Sequence, residues 1–189
     1  HGDIARTGLK PNIVDYVFCD QVIHHTQNPE KTFSHLTDVT KNNGEFSCYV
    51  YAKKALPREL LDEHFRNNHE KYNNRQLWEL SEQLTILGKN LCELNIKFDS
   101  PDIPVLGIKK GTYDIQRFFY WNFLKCFWNP ELGFETSKST NFDWFAPSLA
   151  KRYSEDEFKN LISENKLQIL FFHSEEACYS GRFKKCVEL

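Results

Sequence analysis

One stretch, Val14 to Tyr51, limits more than any other what this chain can fold into. Val14, Tyr16, Val17, Phe18 and Cys19 form a short apolar run, the pattern of a strand buried on both faces. Polar residues follow at once, from Asp20 to Asn28. Asn28-Pro29 has the chemistry of a helix N-cap and first helical residue. Phe33, Leu36 and Val39, flanked by Thr32 and Thr40, then give an apolar stripe at helical spacing through to Lys41. Asn42-Asn43-Gly44 is suited to ending that helix in a left-handed turn. Phe46, Cys48 and Val50, with Tyr49 and Tyr51, predict a second strand. Strand, polar crest, helix, turn and strand make one βαβ unit, and that unit requires a parallel sheet. Ligands of such sheets bind beyond the carboxyl ends of the strands, so Asp20 to His25 is expected at the ligand edge.

V-D-Y-V-F-C-D-Q-V-I-H-H-T-Q-N-P-E-K-T-F followed by K-N-N-G-E-F resembles the fourth strand, its loop and the fifth strand of a class I, Rossmann-like S-adenosylmethionine-dependent methyltransferase. The upstream Gly2-Asp3-Ile4 is similar to the acidic motif that ends the third strand in that family. The resemblance covers residues 1 to 52 and, more loosely, 142 to 189. It implies an α/β fold: a partial Rossmann-like methyltransferase sheet, parallel strands with a closing antiparallel hairpin, and a helical insertion. The core is expected over 1–52 and 148–189, the helical insertion or cap over 53–147.

The chain enters that pattern at the end of its third strand. Residue 1 is His, and Met occurs nowhere. The family's glycine-rich first turn and the acidic end of its second strand have no counterpart. Gly107-Ile108-Lys109-Lys110-Gly111 follows no convincing strand and opens no clear cofactor-binding helix. The resemblance therefore implies the carboxyl-terminal portion of a methyltransferase lacking the glycine-rich first motif.

The 189 residues suffice for one domain with a real core. With 40% hydrophobic and 15% aromatic residues, the composition is that of a folded protein. Lys and Arg number 24 against 26 Asp and Glu, which leaves no electrostatic footprint for nucleic acid. An N/D-P-P-Y/F/W motif for base methylation is also absent. No apolar run approaches the roughly 18 residues of a membrane span, and no signal peptide is visible. Cys19, Cys48, Cys92, Cys126, Cys178 and Cys186 are scattered without C-x-x-C spacing, which favours reduced thiols and a cytoplasmic location over a disulfide framework.

Beyond Tyr51, Pro57 fits a helix first turn. Leu60, Leu61, His64 and Phe65 recur at helical spacing. A second helix is predicted from Arg75 to Leu94, with Leu77, Trp78, Leu80, Leu84, Leu87, Leu91 and Leu94 on a broad apolar face. Ser100 to Gly111 has loop chemistry. Tyr113 to Trp128 is apolar nearly all round, predicting a buried or pairing helix stopped by Asn129-Pro130. Leu132 to Pro147 has the character of a long loop. Ser154 and Glu157 form a capping box for a helix buried through Phe158, Leu161 and Ile162. Leu167 to Phe172 and Phe183 to Val187 predict closing strands, joined at Ser180-Gly181.

Methyl transfer from a sulfonium needs alignment and often a base for the acceptor. The resemblance assigns Asp3 to the adenine amino group and Ile4 to the adjacent ring. It places Cys19, Asp20 and Gln21 along the methionine end, with Asp20 suited to the ammonium. His24 and His25 would face opposite ways on extended backbone, and His25 is the candidate general base. Gln21-Val22-Ile23-His24-His25 lacks the first carboxylate of the Glu-x-x-Glu-His metal site found in some methyltransferases. The other histidines (1, 35, 64, 69 and 173) have no ligand spacing, so no metal is expected. D-W-F-A-P before a capped helix resembles small-molecule methyltransferases and nominates Asp143, Trp144 and Tyr153 for the acceptor. Arg182 is a weaker candidate for an anionic one. The functional expectation is a fragment of an S-adenosylmethionine-dependent methyltransferase acting on a small molecule, with a homodimer through the aromatic insertion as a partner. The rival reading is a non-catalytic interaction or dimerisation module on a degenerate methyltransferase fold.

Overall fold

The chain enters regular structure at β1, Val14–Cys19, which a single 3-10 turn, Ile23–His25, separates from α1, Pro29–Val39. The structure is a computed structural model that describes residues 1–186. Asn28 caps α1 by accepting the Lys31 amide at 2.9 Å. Phe33, Leu36 and Val39 are buried on its inner face. The helix stops at Val39, two residues short of the expected end, and β2 runs Thr40–Ala52. Asn43 does take a positive φ of 63°, but within the strand rather than as a helix cap. Val14 pairs with Thr40 and Tyr16 already with Glu45, so β2 carries a bulge there. A Cβ on Gly44 would lie 2.9 Å from the Asp15 carbonyl, which is why the bulge needs glycine at this point. From Tyr16↔Glu45 to Cys19↔Cys48 the two strands run parallel.

Residues 54–148 form one compact unit, and residues 1–53 with the segment from 149 onward form another. In the inserted unit, α2 spans Leu56–Asn67, α3 Asn74–Glu93, β3 Lys97–Ser100, β4 Gly111–Asp114, α4 Ile115–Asn122 and α5 Gly133–Phe145. Here the sequence expectations needed most correction. The buried positions of α2 are Arg58 and Asp62, while Leu60 and His64 are exposed. A buried ion pair, not a leucine stripe, faces its core. The expected loop, Ser100 to Gly111, connects an antiparallel hairpin that the sequence did not predict, with β3 paired to β4 from Lys97↔Asp114 to Ser100↔Gly111.

The aromatic helix is half its expected length, and the predicted loop after it is largely helix α5. Asn122 closes α4 by donating to the Phe118 carbonyl at 2.9 Å. The chain beyond is irregular and pinned by side chains. Asn141 accepts from the Phe127 amide at 2.8 Å and donates to the Phe127 carbonyl at 3.0 Å. Gln116 donates to the Cys126 carbonyl at 2.9 Å, and Ser137 accepts from the Asn129 amide at 3.2 Å. These bonds satisfy backbone that would otherwise be buried without partners.

Past residue 148 come β5, Arg152–Tyr153, α6, Glu155–Glu164, β6, Leu167–Ser174, and β7, Cys178–Lys185. The Ser154–Glu157 capping box is formed in both directions. The hairpin reverses at Glu175–Ala177, and Ser180 and Gly181 lie inside β7 rather than at its turn. Val187, the expected end of the last strand, lies outside the described residues.

The sheet order is β1-β2-β7-β6, with β5 parallel to the far end of β2. The β2–β7 and β6–β7 pairs are antiparallel. This mixed sheet with an inserted helical unit is a partial Rossmann-like methyltransferase topology. Phe33 and Leu36 of α1 meet Phe158, Leu161 and Ile162 of α6 over Phe46, Cys48, Val50 and Phe183. Both helices therefore cover the same sheet face. Phe33 and Phe46 stand edge to face at 4.9 Å.

On the other sheet face β1 is open, so it is not buried on both sides as its composition suggested. Val17 and Cys19 alone turn toward the core, while Tyr16 and Phe18 remain 48% and 70% exposed. Among the described residues β1 is an edge strand.

Candidate functional site

At the carboxyl end of β1 the backbone leaves the sheet for the 3-10 turn Ile23–His25. Cys19 is buried, and burial pushes its thiol up to about 11, so it is a packing residue rather than a nucleophile. Asp20 and Gln21 are exposed, and Gln21 adopts a φ of +55°. That turn sends Ile23 and His24 into the interior, both fully buried.

The two histidines sit on a 3-10 turn, so they do not alternate across extended backbone. Their ring centroids are 4.3 Å apart. His24 also lies 3.9 Å from the Tyr51 ring and 6.1 Å from that of Tyr49. Neither ring nitrogen of His24 has a hydrogen-bond partner among the described residues. Burial, with the neighbouring His25, pushes its imidazole down to about 3, against a weak opposing pull from the Tyr49 backbone. His24 is therefore a neutral packing ring at physiological pH.

His25 is different. Its Nδ1 is 2.6 Å from the Leu149 carbonyl. A carbonyl can only accept, so Nδ1 carries a proton, and in the neutral tautomer this selects, Nε2 is the acceptor. The Lys151 amide donates to the His24 carbonyl at 2.9 Å. The crest is thus partly closed by residues 149–151: Asp20, Gln21 and part of His25 stay accessible, and His24 does not.

The remaining sequence-nominated residues are placed as follows. Asp3 is exposed; its carboxylate accepts from the Ala5 amide at 2.9 Å and its carbonyl from the Arg6 amide. Ile4 packs against the hydrophobic core. Tyr153 is buried and donates to Glu30 at 2.9 Å, and burial beside that carboxylate raises its hydroxyl well above the usual range. Asp143 is exposed on α5 and Trp144 is buried; both belong to the inserted unit. Cys19, Asp20, Gln21 and His25 are thereby gathered at one strand end.

Two groups escaped sequence reasoning. His173, Glu175 and Cys178 bring three ligand-type atoms within 4.8 Å at the β6–β7 hairpin, close on themselves through a Cys178 to Glu175 bond of 3.2 Å. In the inserted unit, Asp62 accepts from Arg58 Nε at 2.9 Å and from the Trp144 indole at 2.8 Å. Arg58 and Asp62 at i, i+4 were the available signal, but that spacing usually marks a solvated pair. Lys125 lies nearby and is buried.

No curated protein matches the chain in sequence. Among solved structures, it is similar to the methyltransferase in the complex with the Haloferax volcanii Trm112 methyltransferase activator, at 10% identity over all of this chain and 60% of that one, with a TM-score of 0.45. An S-adenosylmethionine-dependent methyltransferase from Methanosarcina mazei has 9% identity over 99% of this chain and 66% of its own, with a TM-score of 0.44. One from Thermotoga maritima has 13% identity over 97% and 61%, with a TM-score of 0.42. The chain spans less than two thirds of each of these proteins. A family model described as a methyltransferase domain matches residues 1–119. That match takes in β1, its crest and β2 and extends over well over half of the chain, which belongs to this methyltransferase-domain family.

Proposed function

We propose that this chain is part of an S-adenosylmethionine-dependent methyltransferase acting on a small molecule. The observation that carries the reading is the exposed Asp20–Gln21 pair at the carboxyl end of a strand parallel to its neighbour, with His25 five residues on. The donor set fits the amino-acid end of the cofactor. Asp20 offers a solvent-facing carboxylate for an ammonium, and the Gln21 amide stands beside it, 3.5 Å from Asp20. Asp3 offers a second exposed carboxylate for a nucleoside amine.

Bound, the cofactor supplies an electrophilic methyl group on a sulfonium. His25, held by the Leu149 carbonyl, keeps Nε2 as an acceptor for the proton released when a hydroxyl or amine becomes the nucleophile. The exposed outer face of β1 and its edge, unpaired among the described residues, support the reading that these 189 residues are one portion of the methyltransferase domain. The inserted unit would then serve the acceptor.

Isothermal titration with S-adenosylhomocysteine tests this on the chain and on any longer natural polypeptide that contains it. Micromolar binding is expected in the longer form, weakened about tenfold by Asp20→Asn, as for loss of one charge-assisted bond. His25→Gln should leave that binding intact and slow turnover by about 10² or more. Absence of binding in the longer form would leave a non-catalytic module on the same fold.

A further inference from the structure

The inserted unit holds more positive charge than its interior can balance. Lys125, in the irregular segment after α4, is only 8% exposed. Its Nζ lies 4.7 Å from the centroid of Trp144, 5.6 Å from that of Tyr120 and 6.0 Å from that of Phe127. It has no hydrogen bond and no carboxylate partner among the described residues. Three more cations share these rings, among them Arg66, whose guanidinium is 5.8 Å from Trp144. The Arg58 guanidinium is 5.1 Å from Trp144 and 5.5 Å from Tyr120, and that of Arg117 is 5.7 Å from Tyr120 and 5.8 Å from Phe127. The buried carboxylate of this group is Asp62, and both its oxygens are taken, by Arg58 and by the Trp144 indole.

Aromatic faces do not make up this deficit. A cation–π contact offsets only part of what it costs to take an ammonium out of water. Native interiors rarely hold such a group without a partner, and a bound ion is one of the few arrangements that accounts for one. The groups around Lys125 come from every element packed on it: Lys54, Arg58 and Asp62 from the start of the unit and α2, Arg117 and Tyr120 from α4, and Asp143 and Trp144 from α5. We infer that Lys125, in the field of Arg58 and Arg117 and over the rings of Tyr120, Phe127 and Trp144, receives the oxyanion group of a small molecule, a carboxylate or a phosphate. The site stands on the inserted unit alone. Only the further statement that this anion belongs to the methyl acceptor rests on the methyltransferase reading.

Burial and the Arg58 charge push the Lys125 ammonium down to about 7, with Asp62 opposing. An anion settling on the amine would restore its proton, so binding should take up protons from the medium. A residue with a merely structural role would give no such signature.

The test is titration of the chain with inorganic phosphate and, separately, with benzoate at constant ionic strength, in two buffers of different ionisation enthalpy. One of the two probes should bind in the millimolar range with net proton uptake near neutral pH, and which one binds identifies the oxyanion. Lys125→Met should weaken it at least tenfold, and Lys125→Arg should retain most of the binding without the proton uptake. Because Lys125→Met can disturb packing, the ε-carbon NMR signal of Lys125 in the unaltered chain is followed in parallel and should move on saturation with the same probe. No binding of either probe, equal binding by a folded Lys125→Met, or an unmoved signal overturns the inference. Titration with S-adenosylhomocysteine separates the two claims. Anion binding without cofactor binding in the longer polypeptide overturns the function and spares the site, and the converse overturns only the site.

Discussion

His24 shows how one side chain can govern the acid limit of a fold. Its imidazole is buried, unpaired and held down to about 3, whereas in the unfolded chain it takes a proton near 6.5. Below that value the unfolded chain binds a proton that the folded chain refuses. Stability is therefore full above about pH 6.5 and falls progressively as the pH drops toward 3. The loss for this one residue is on the order of 5 kcal/mol. His24→Phe, which keeps the stack on Tyr51, should flatten the pH dependence of urea unfolding between pH 6.5 and 4, and an unchanged slope would show that the ring does not sense the interior. Asp62, by contrast, is a buried charge with partners. Asp62→Asn would strip Arg58 of its counter-charge in a dry environment and is expected to cost roughly 3–5 kcal/mol in the same assay.

At the level of elements, the irregular segment after α4 has more physical content than its lack of regular structure suggests. Cys126 passes so close to α3 that a Cβ on Gly88 would stand 2.3 Å from its carbonyl oxygen. Backbone cannot step aside as a side chain can. Gly88→Ala gains helix propensity yet should lower the melting temperature by several degrees, through loss of the Asn141 and Gln116 bonds to residues 126 and 127. The same segment explains where sequence reasoning succeeded and failed. β1, α1, β2 and α6 were legible because their signals are local: an apolar run, an N-cap with proline behind it, strict alternation from Phe46 to Ala52, and a capping box. Tyr113 to Trp128 misled because its aromatics are spaced well enough for a helix, while the decision to leave the helix is made by Asn141 and Ser137 reaching in from α5 and by Gln116 bonding forward to Cys126. Leu132 to Pro147 misled in the opposite way, since Gly133, Thr136 and Asn141 suggest a loop where packing makes a helix. In the candidate site, the strand-end residues Asp20 and His25 could be found from the βαβ pattern. Lys125 could not, because nothing local distinguishes a lysine with a partner from one without.

Across the whole molecule, the most exposed apolar surface of the sheet lies on β1 and β6, with Tyr16, Phe18 and Phe171 outward and one flank of β1 unpaired among the described residues. A sheet edge with aromatic side chains and unsatisfied backbone tends to find a partner. The isolated chain is expected to self-associate with rising concentration in sedimentation velocity, and Phe18→Lys should return it to a single species. A monomer at all concentrations would mean that the edge is protected.

β2 pairs with β1 on one side within about thirty residues of chain, but its partner on the other side, β7, begins only at Cys178. The inserted unit lies between. On a ribosome adding roughly 5–20 residues per second, the spine of the sheet must wait on the order of ten seconds with half its backbone groups unclaimed. Nascent chains of this protein should thus lean on chaperones chiefly during the interval when residues 54–148 are being made.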